Sequence, residues 1–309
     1  MSNQSTLAVP TRPVRQPVPS RRRWRSASPL ALGTALFLLV FYGVIFVIPF
    51  GTSIWLLFQN WDFIVTPKYV GTRNYERALH DSYFWQALRM TVLFSVGEIA
   101  IGIALAVLVA VLLSRLRSRP QRFFLALFYL PVITPGVVSI LLWRWLYTPN
   151  GGALNGFLNA LGLPSQPFLN SESQALWCII AMVVWANLGT GAVLFLAGIN
   201  DIPQSLFEAA MLDGAGFWQQ VWHLILPLIR PVLFYQVVVS VIGTVQAFDV
   251  FYLMPGPGFS TRTLARYTYQ LGFQTLNLGY GAAVSIIIFL LLLGATVFQL
   301  QRYRASIEY

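Results

Sequence analysis

The sequence holds one lysine, Lys68, and the residue before it is Pro67. The phosphate-binding loop G-x-x-x-x-G-K-[ST] needs a glycine immediately ahead of its lysine, so no Walker A sequence exists here; if ATP drives this protein, another chain binds it. A single cysteine, Cys178, closes no internal disulfide and, lying in an apolar stretch, reads as a packing residue. The two histidines, His80 and His223, supply with it neither a zinc constellation nor an H-E-x-x-H helix. With no cluster of catalytic residues either, the chain reads as a non-enzyme. Charge is scarce as well: Asp, Glu, Lys and Arg make up 10% of the 309 residues, against about 25% in soluble domains.

What fills the chain instead is apolar. Hydrophobic residues are 57% of it and gather in runs at about 31–58, 86–113, 123–147, 175–199, 228–253 and 279–300. Each is long enough to cross a hydrocarbon core of ~30 Å. The reading is all-α: a polytopic membrane protein with six transmembrane helices. A net charge of +10 raises nucleic acid as a partner, but the arginines sit in the tail and in loops beside the spans. That is the positive-inside pattern, and lipid rather than nucleic acid is the partner it indicates.

Thirteen arginines fall on one side: six in residues 1–29, then Arg115, Arg117, Arg119, Arg122, Arg230, Arg302 and Arg304. Lys68, Arg73, Arg77, Arg262 and Arg266 fall on the other. Both termini are therefore expected in the cytoplasm, with residues 1–29 a disordered basic tail and 303–309 a short C-terminal one. Residues 30–302 form the membrane domain, in the cell's inner membrane. Pro49 and Gly51 are expected to bend the first span, and Pro131 and Pro135 lie inside the third. Glu98, within the second span, has to be neutral, paired or water-facing. Arg144 offers a partner, and the sequence leaves that pairing open.

Between the fourth and fifth spans the chain reads NDIPQSLFEAAMLDGAGFWQQVWHLILPLIRP, residues 200–231. It carries Asp201, Glu208 and Asp213 but no Lys or Arg before Arg230, unlike the other inner loops. Ser205 and Glu208 have capping-box spacing, which predicts a helix from Leu206 with Phe207, Ala210 and Met211 on one face. Gly214 and Gly216 break it. Phe217, Trp218, Val221, Trp222 and Ile225 recur at helical spacing and predict a second short helix ending at Pro227. An acidic knob of this kind suits a basic protein surface better than anionic lipid.

Glu208-Ala209-Ala210, three residues, Gly214, nine residues, then Leu224-x-Leu226-Pro227 resembles the EAA signature of the permease subunits of binding-protein-dependent ABC importers. Leu224 stands where that family usually has Ile. Asn74-Tyr75, Asp81-Ser82-Tyr83-Phe84-Trp85, Phe248-Asp249 with Tyr252, and the run Met254-Pro255-Gly256-Pro257-Gly258 are similar to landmarks of its carbohydrate-uptake branch, the maltose and glycerol-phosphate type. Gly71-Thr72 departs from the usual Gly-Leu. The likeness covers about residues 30–302. It implies an importer-type transmembrane domain whose 200–227 loop, through Glu208, Ala209, Ala210, Asp213, Gly214, Leu226 and Pro227, seats on an ATPase subunit. It also implies two such ATPases, which bind ATP and Mg so that this chain needs no cofactor, a second permease and an extracytoplasmic solute-binding protein.

Polar residues within apolar spans are the pathway candidates. Ser240, Gly243, Thr244 and Ala247 share a face at helical spacing, with Gln246 and Asp249 flanking it towards the outside. The family likeness brings sugar-contact positions onto that face and onto Asn187 and Thr190 of the fourth span. None of these residues is cationic, which fits a neutral sugar, because a phosphate or carboxylate calls for Arg, Lys or a helix N-terminus. The alternative is an ion-coupled secondary transporter; that class is built from repeated halves with helices broken at matching positions, and no such repeat is visible.

Overall fold

The computed structural model describes residues 29–305. The basic tail before Pro29 and residues 306–309 lie outside the described residues. The chain divides at Gly51–Thr52 into two units.

Ahead of the division α1 (Pro29–Tyr42) passes through a π-turn, Gly43–Val47, into α2 (Ile48–Leu56), within which the division falls. Pro49 has no N–H for the carbonyl of Ile45, and in a regular helix its ring would strike that carbonyl. The widened turn ends two residues before the proline and closes on an Ile48 N–H to Gly43 carbonyl bond. The irregularity expected at Pro49 and Gly51 thus sits one turn earlier, as a π-turn. No side chain of α1 or the π-turn is buried.

After α2 the second unit continues with a two-residue hairpin, β1 (Gln59–Asn60) antiparallel to β2 (Lys68–Tyr69). Next comes α3 (Arg73–His80), whose buried Asn74 donates to the carbonyls of Leu57 and Gln59 at 2.7 and 3.0 Å. The long α4 (Ser82–Ser114) follows. What was expected as a single third span is two helices, α5 (Ser118–Ile133) and α6 (Gly136–Leu146), meeting at 94°. Pro131 stays inside α5; the break is at Thr134, whose extended backbone (ψ 130°) is what a following proline imposes. A short α7 (Ala153–Ala160) leads to α8 (Ala175–Asn200) at the centre of the bundle, between α4 and α5.

After α8 come α9 (Gln204–Leu212), α10 (Phe217–Gln220), a second π-turn (Val221–Ile225), α11 (Leu226–Leu228) and α12 (Arg230–Val245). The fifth span breaks again before α13 (Asp249–Leu253). The last elements are α14 (Leu264–Tyr269), a π-turn (Gln270–Gln274) and α15 (Leu278–Ala305), which carries helix into the stretch expected to be a tail. Five described helical spans are long and apolar enough to cross a membrane, six when the bent α5–α6 pair is counted as one span.

Four apolar clusters form among the described residues, and two of them centre on α4 and α8. Phe94, Ile179, Ile180, Phe251 and Met254 fill one; Ala106, Val111, Phe195, Ile199, Ile225 and Ile229 fill the other. Cys178 packs in the first, as expected. The crossing of α8 on α5 needs a glycine: a β-carbon on Gly189 would lie 2.3 Å from the Phe128 carbonyl oxygen.

Asp81 ties the start of α4 to the end of the chain. One oxygen accepts the Tyr83 N–H at 2.9 Å, and the other accepts the hydroxyls of Tyr267 and Tyr280 at 2.5 and 2.6 Å. Burial works against the charged carboxyl, but these hydrogen bonds outweigh it and hold Asp81 below its ordinary value. Burial and the bond to Asp81 push the Tyr267 hydroxyl up. A depressed carboxyl contributes stability that is complete above its unfolded value, about 3.9, and is lost as pH falls through the folded one. Asp81→Asn is therefore expected to cost about 1–2 kcal/mol at neutral pH, a figure reduced for partial exposure. Thermal unfolding in detergent from pH 6 to 3 should fall less steeply in the variant than in the parent; equal slopes would discard this role for Asp81.

Candidate functional site

The loop between α8 and α12 is two half-helices joined by a Schellman turn. Gly214 lies in the left-handed region at φ 79°. Its N–H reaches the Met211 carbonyl at 3.1 Å, and the Ala215 N–H reaches that of Ala210 at 2.9 Å. Those two bonds close α9 and give the spacing from Ala210 to Gly214 a physical meaning, because only glycine enters that conformation without cost. Gly216 has ordinary φ, −69°; its N–H binds Gln219 Oε1 at 2.7 Å and starts α10.

The structure corrects two expectations here. Ser205 and Glu208 form no capping box: α9 begins at Gln204 behind Pro203, without a side-chain cap. Pro227 does not end the second half-helix. It follows the π-turn Val221–Ile225 by the same two residues that separate Pro49 from its own π-turn, so the chain runs on through α11 into α12. Of the expected shared face, Phe207 and Ala210 are half-buried, whereas Met211 is exposed.

Glu208, Ala209, Asp213 and Gly214 are exposed, and Leu212 beside them is 90% exposed. Ala210, Asp213 and Gly214 line a cleft of about 460 Å³ with Gln219 and His223. Leu226 faces an apolar groove between Trp218, Trp222 and α4, and Pro227 is half-buried.

Arg115, counted in the sequence only as an inner-side charge, braces this loop. From the C-terminal cap of α4 its Nη2 donates to Gln220 Oε1 at 2.6 Å. Its guanidinium carbon lies 5.7 and 5.5 Å from the ring centres of Phe207 and Phe217, one from each half-helix. Gln220, 5% exposed, passes the connection on by donating to the Ala215 carbonyl at 3.0 Å. The α4–α5 connection and the 200–227 loop therefore share one end of the bundle.

A second feature lies where both broken spans open. A cavity of about 640 Å³ is lined by Thr134, Gly136 and Ser139 at the α5–α6 break, Asn187 of α8, and Gln246 to Val250 at the α12–α13 break. Interrupted helices leave backbone groups that only a cavity or a neighbour satisfies within a membrane. Ser139 is buried and its hydroxyl has no partner among the described residues. Phe248, on the wall, belongs to an aromatic group with Tyr252, Tyr269 and Phe273.

Of the expected pathway residues, Asn187, Gln246, Ala247 and Asp249 meet in this cavity. Ser240 faces a separate, smaller void towards α4. Thr244 is buried, and its hydroxyl is spent on the Ser240 carbonyl at 2.8 Å. Thr190 and Gly243 are exposed and line neither space. The shared face failed because the helix stops at Val245, so Ala247 is not on the track that carries Gly243 and Thr244. Sequence reasoning missed Thr134 and Ser139, although a Thr-Pro step and a lone hydroxyl in an apolar run are the traces they leave. The open pairing resolves as well. Arg144 donates to the Leu253 carbonyl at 3.1 Å, whereas Glu98 lies on α4 beside Asn187.

A bundle of apolar spans with broken helices around a polar cavity, and an exposed helix–glycine–helix loop braced at one end, is the architecture of a membrane transport subunit. Comparison with known proteins assigns it. Residues 99–305 match the model of the family described as binding-protein-dependent transport system inner membrane component, and the chain belongs to that family, the permease subunits of ABC importers. It is a multi-pass membrane protein. It is 32% identical over 279 residues to the probable ABC transporter permease protein YurN of Bacillus subtilis, covering 88% of this chain and 94% of that one. It is also 32% identical over 272 residues to the sn-glycerol-3-phosphate transport system permease protein UgpA of Yersinia enterocolitica, covering 86% and 91%. The fold is similar to a chain in the crystal structure of a bacterial ABC transporter involved in the import of the acidic polysaccharide alginate. The TM-score is 0.80 at 22% identity, covering 89% of this chain and 95% of that one.

Proposed function

We propose that this permease passes a neutral mono- or oligosaccharide, delivered by an extracytoplasmic binding protein, through the cavity at the α5–α6 and α12–α13 breaks. Two separate ATPase subunits bind ATP and Mg, hydrolyse the nucleotide and seat on the 200–227 loop, through Glu208, Ala209, Ala210, Asp213 and Gly214, with Leu226 and Pro227 holding its return to α12. A second permease, identical or different, completes the pathway. Both termini are cytoplasmic. The excess of arginine on that side supports this orientation, as does the bond from Arg115 to the loop.

The observation that carries the choice of substrate is the cavity wall. It offers the unpartnered hydroxyl of Ser139, the Thr134 oxygen as an acceptor while its O–H goes to the Leu130 carbonyl at 3.1 Å, amides from Asn187 and Gln246 and the ring of Phe248, and among its residues Asp249 is the only charged one. Hydroxyls, amides and an aromatic face suit a sugar. The first turn of α6 offers N–H groups that bind any substrate oxygen, but a phosphate or uronate would meet Asp249 with no Arg or Lys to balance it. The relatives named for sn-glycerol 3-phosphate and alginate handle anions, so the charge of the substrate is what a test has to separate.

Cells with and without this permease are given labelled neutral saccharides, glycerol 3-phosphate and an alginate oligosaccharide. Uptake of at least one neutral saccharide should fall 10-fold or more in the deletion, with both anions unaffected. Loss confined to an anion would overturn the neutral-sugar assignment.

A further inference from the structure

Half-way along three spans, polar side chains converge where lipid-facing helices would carry none. Glu98 of α4, Asn187 of α8 and Gln236 and Ser240 of α12 line a void of about 20 Å³. Glu98 is 6% exposed, and its Oε2 is buried without a hydrogen-bond partner among the described residues. Gln236 gives its Nε2–H to Ser240 Oγ at 3.2 Å, which leaves its amide oxygen available. No Lys, Arg or His lines the void. Gly102 lines it on the α4 side, where a β-carbon would stand in ordinary contact with Glu98 Oε1 at 3.5 Å.

Three constraints select what this space takes. Its volume admits one water-sized guest and no more. Its donors are all oxygen, from one carboxyl, two amides and a hydroxyl, a set for a hard cation rather than a soft metal. It holds a single carboxyl, which at mid-membrane takes up either a proton or a cation, since no basic side chain lines the void. One charge calls for one charge: a divalent ion would leave an excess.

We propose that Glu98, Asn187, Gln236 and Ser240 form a site for one monovalent metal cation of sodium size, bound between α4, α8 and α12. The ion neutralises Glu98 and joins the three helices behind the wall of the transport cavity, with which the site shares Asn187. This holds whatever substrate the larger cavity carries.

The test uses the full chain purified with the subunits that accompany it, in nanodiscs, with NaCl or KCl replacing choline chloride at constant ionic strength. The unfolding midpoint should rise by roughly 2–4 °C and saturate with the metal ion, while the near-isosteric Glu98→Gln shows no rise. Equilibrium binding of ²²Na⁺ should give one ion per permease in the parent, displaced by excess unlabelled NaCl, and none in Glu98→Gln. A parent protein indifferent to both Na⁺ and K⁺ would mean that a proton neutralises Glu98 and the void holds only water, and would overturn the proposal. A response that persists unchanged in Glu98→Gln would place the ion elsewhere and overturn it too.

Discussion

Ala247→Trp is expected to reduce uptake 100-fold or more while ATP hydrolysis stimulated by the binding protein continues. Ala247 is half-buried on the wall of the 640 Å³ cavity, between the end of α12 and the first turn of α13. An indole there takes space between Gln246 and Asn187 that a saccharide needs, and it touches neither the 200–227 loop nor the Arg115 brace. Gly243→Trp is the control. A β-carbon at Gly243 meets nothing within 4 Å, and the residue lines neither space, so its uptake should stay within a few-fold of the parent. Transport assays on reconstituted vesicles, with ATP hydrolysis measured on the same preparations, read both. Normal uptake by Ala247→Trp would remove the cavity from the pathway.

Arg115→Ala is expected to uncouple the transporter, lowering transport per ATP hydrolysed 10-fold or more. The substitution strands the buried Gln220 amide oxygen, a loss of about 1–3 kcal/mol, and removes the cation set between Phe207 and Phe217. The half-helices then lose their connection to α4 and move without it. Arg115→Lys restores the charge but not the planar fork, so its coupling should fall between the two. Glu208→Lys makes a useful contrast. Glu208 is exposed, so the variant should unfold at the parent's midpoint yet fail to retain the ATPase on co-purification, whereas Arg115→Ala should retain it with a lowered midpoint. Full coupling in Arg115→Ala would show that the loop is held by packing alone.

The difference between these two sites in the sequence has a physical origin. The helix–glycine–helix shape of the 200–227 loop is legible because its information is local. Gly214 sits one residue past the cap of α9, and every bond of the Schellman turn lies within six consecutive residues. The cavity was legible in part. Gln246, Ala247 and Asp249 stand out as polar or small residues at the end of an apolar run and Asn187 through the family likeness, but Gly243 and Thr244 carry the first mark, and Thr190 the second, without lining the cavity. Thr244 satisfies its own hydroxyl along α12. The spacing argument that joined Gly243 to Ala247 assumed a helix unbroken after Val245.

Arg115 shows the same limit from the other side. Its value to the sequence was one positive charge, which is all a topology argument reads, and its partner Gln220 is 105 positions away. Asp81 likewise meets Tyr267 and Tyr280 across 186 and 199 positions. No periodicity carries such a pairing.

The sequence by itself determined that this is a helical membrane protein without a nucleotide-binding loop, with an acidic helix–glycine–helix signature between two spans. Hydropathy, charge placement and turn chemistry are properties of consecutive residues, and water, lipid and the backbone act on them locally. Only the tertiary structure decided that the third and fifth spans break beside one another, that their ends enclose a polar cavity, that Glu98 faces Asn187, Gln236 and Ser240 rather than Arg144, and that Arg115 clamps the loop to α4. Each of these depends on which helix faces the other gap, a choice set by close approaches such as Gly189 against the Phe128 carbonyl. Packing of that kind fixes distances between residues far apart in the chain, where the order of residues along it holds no record.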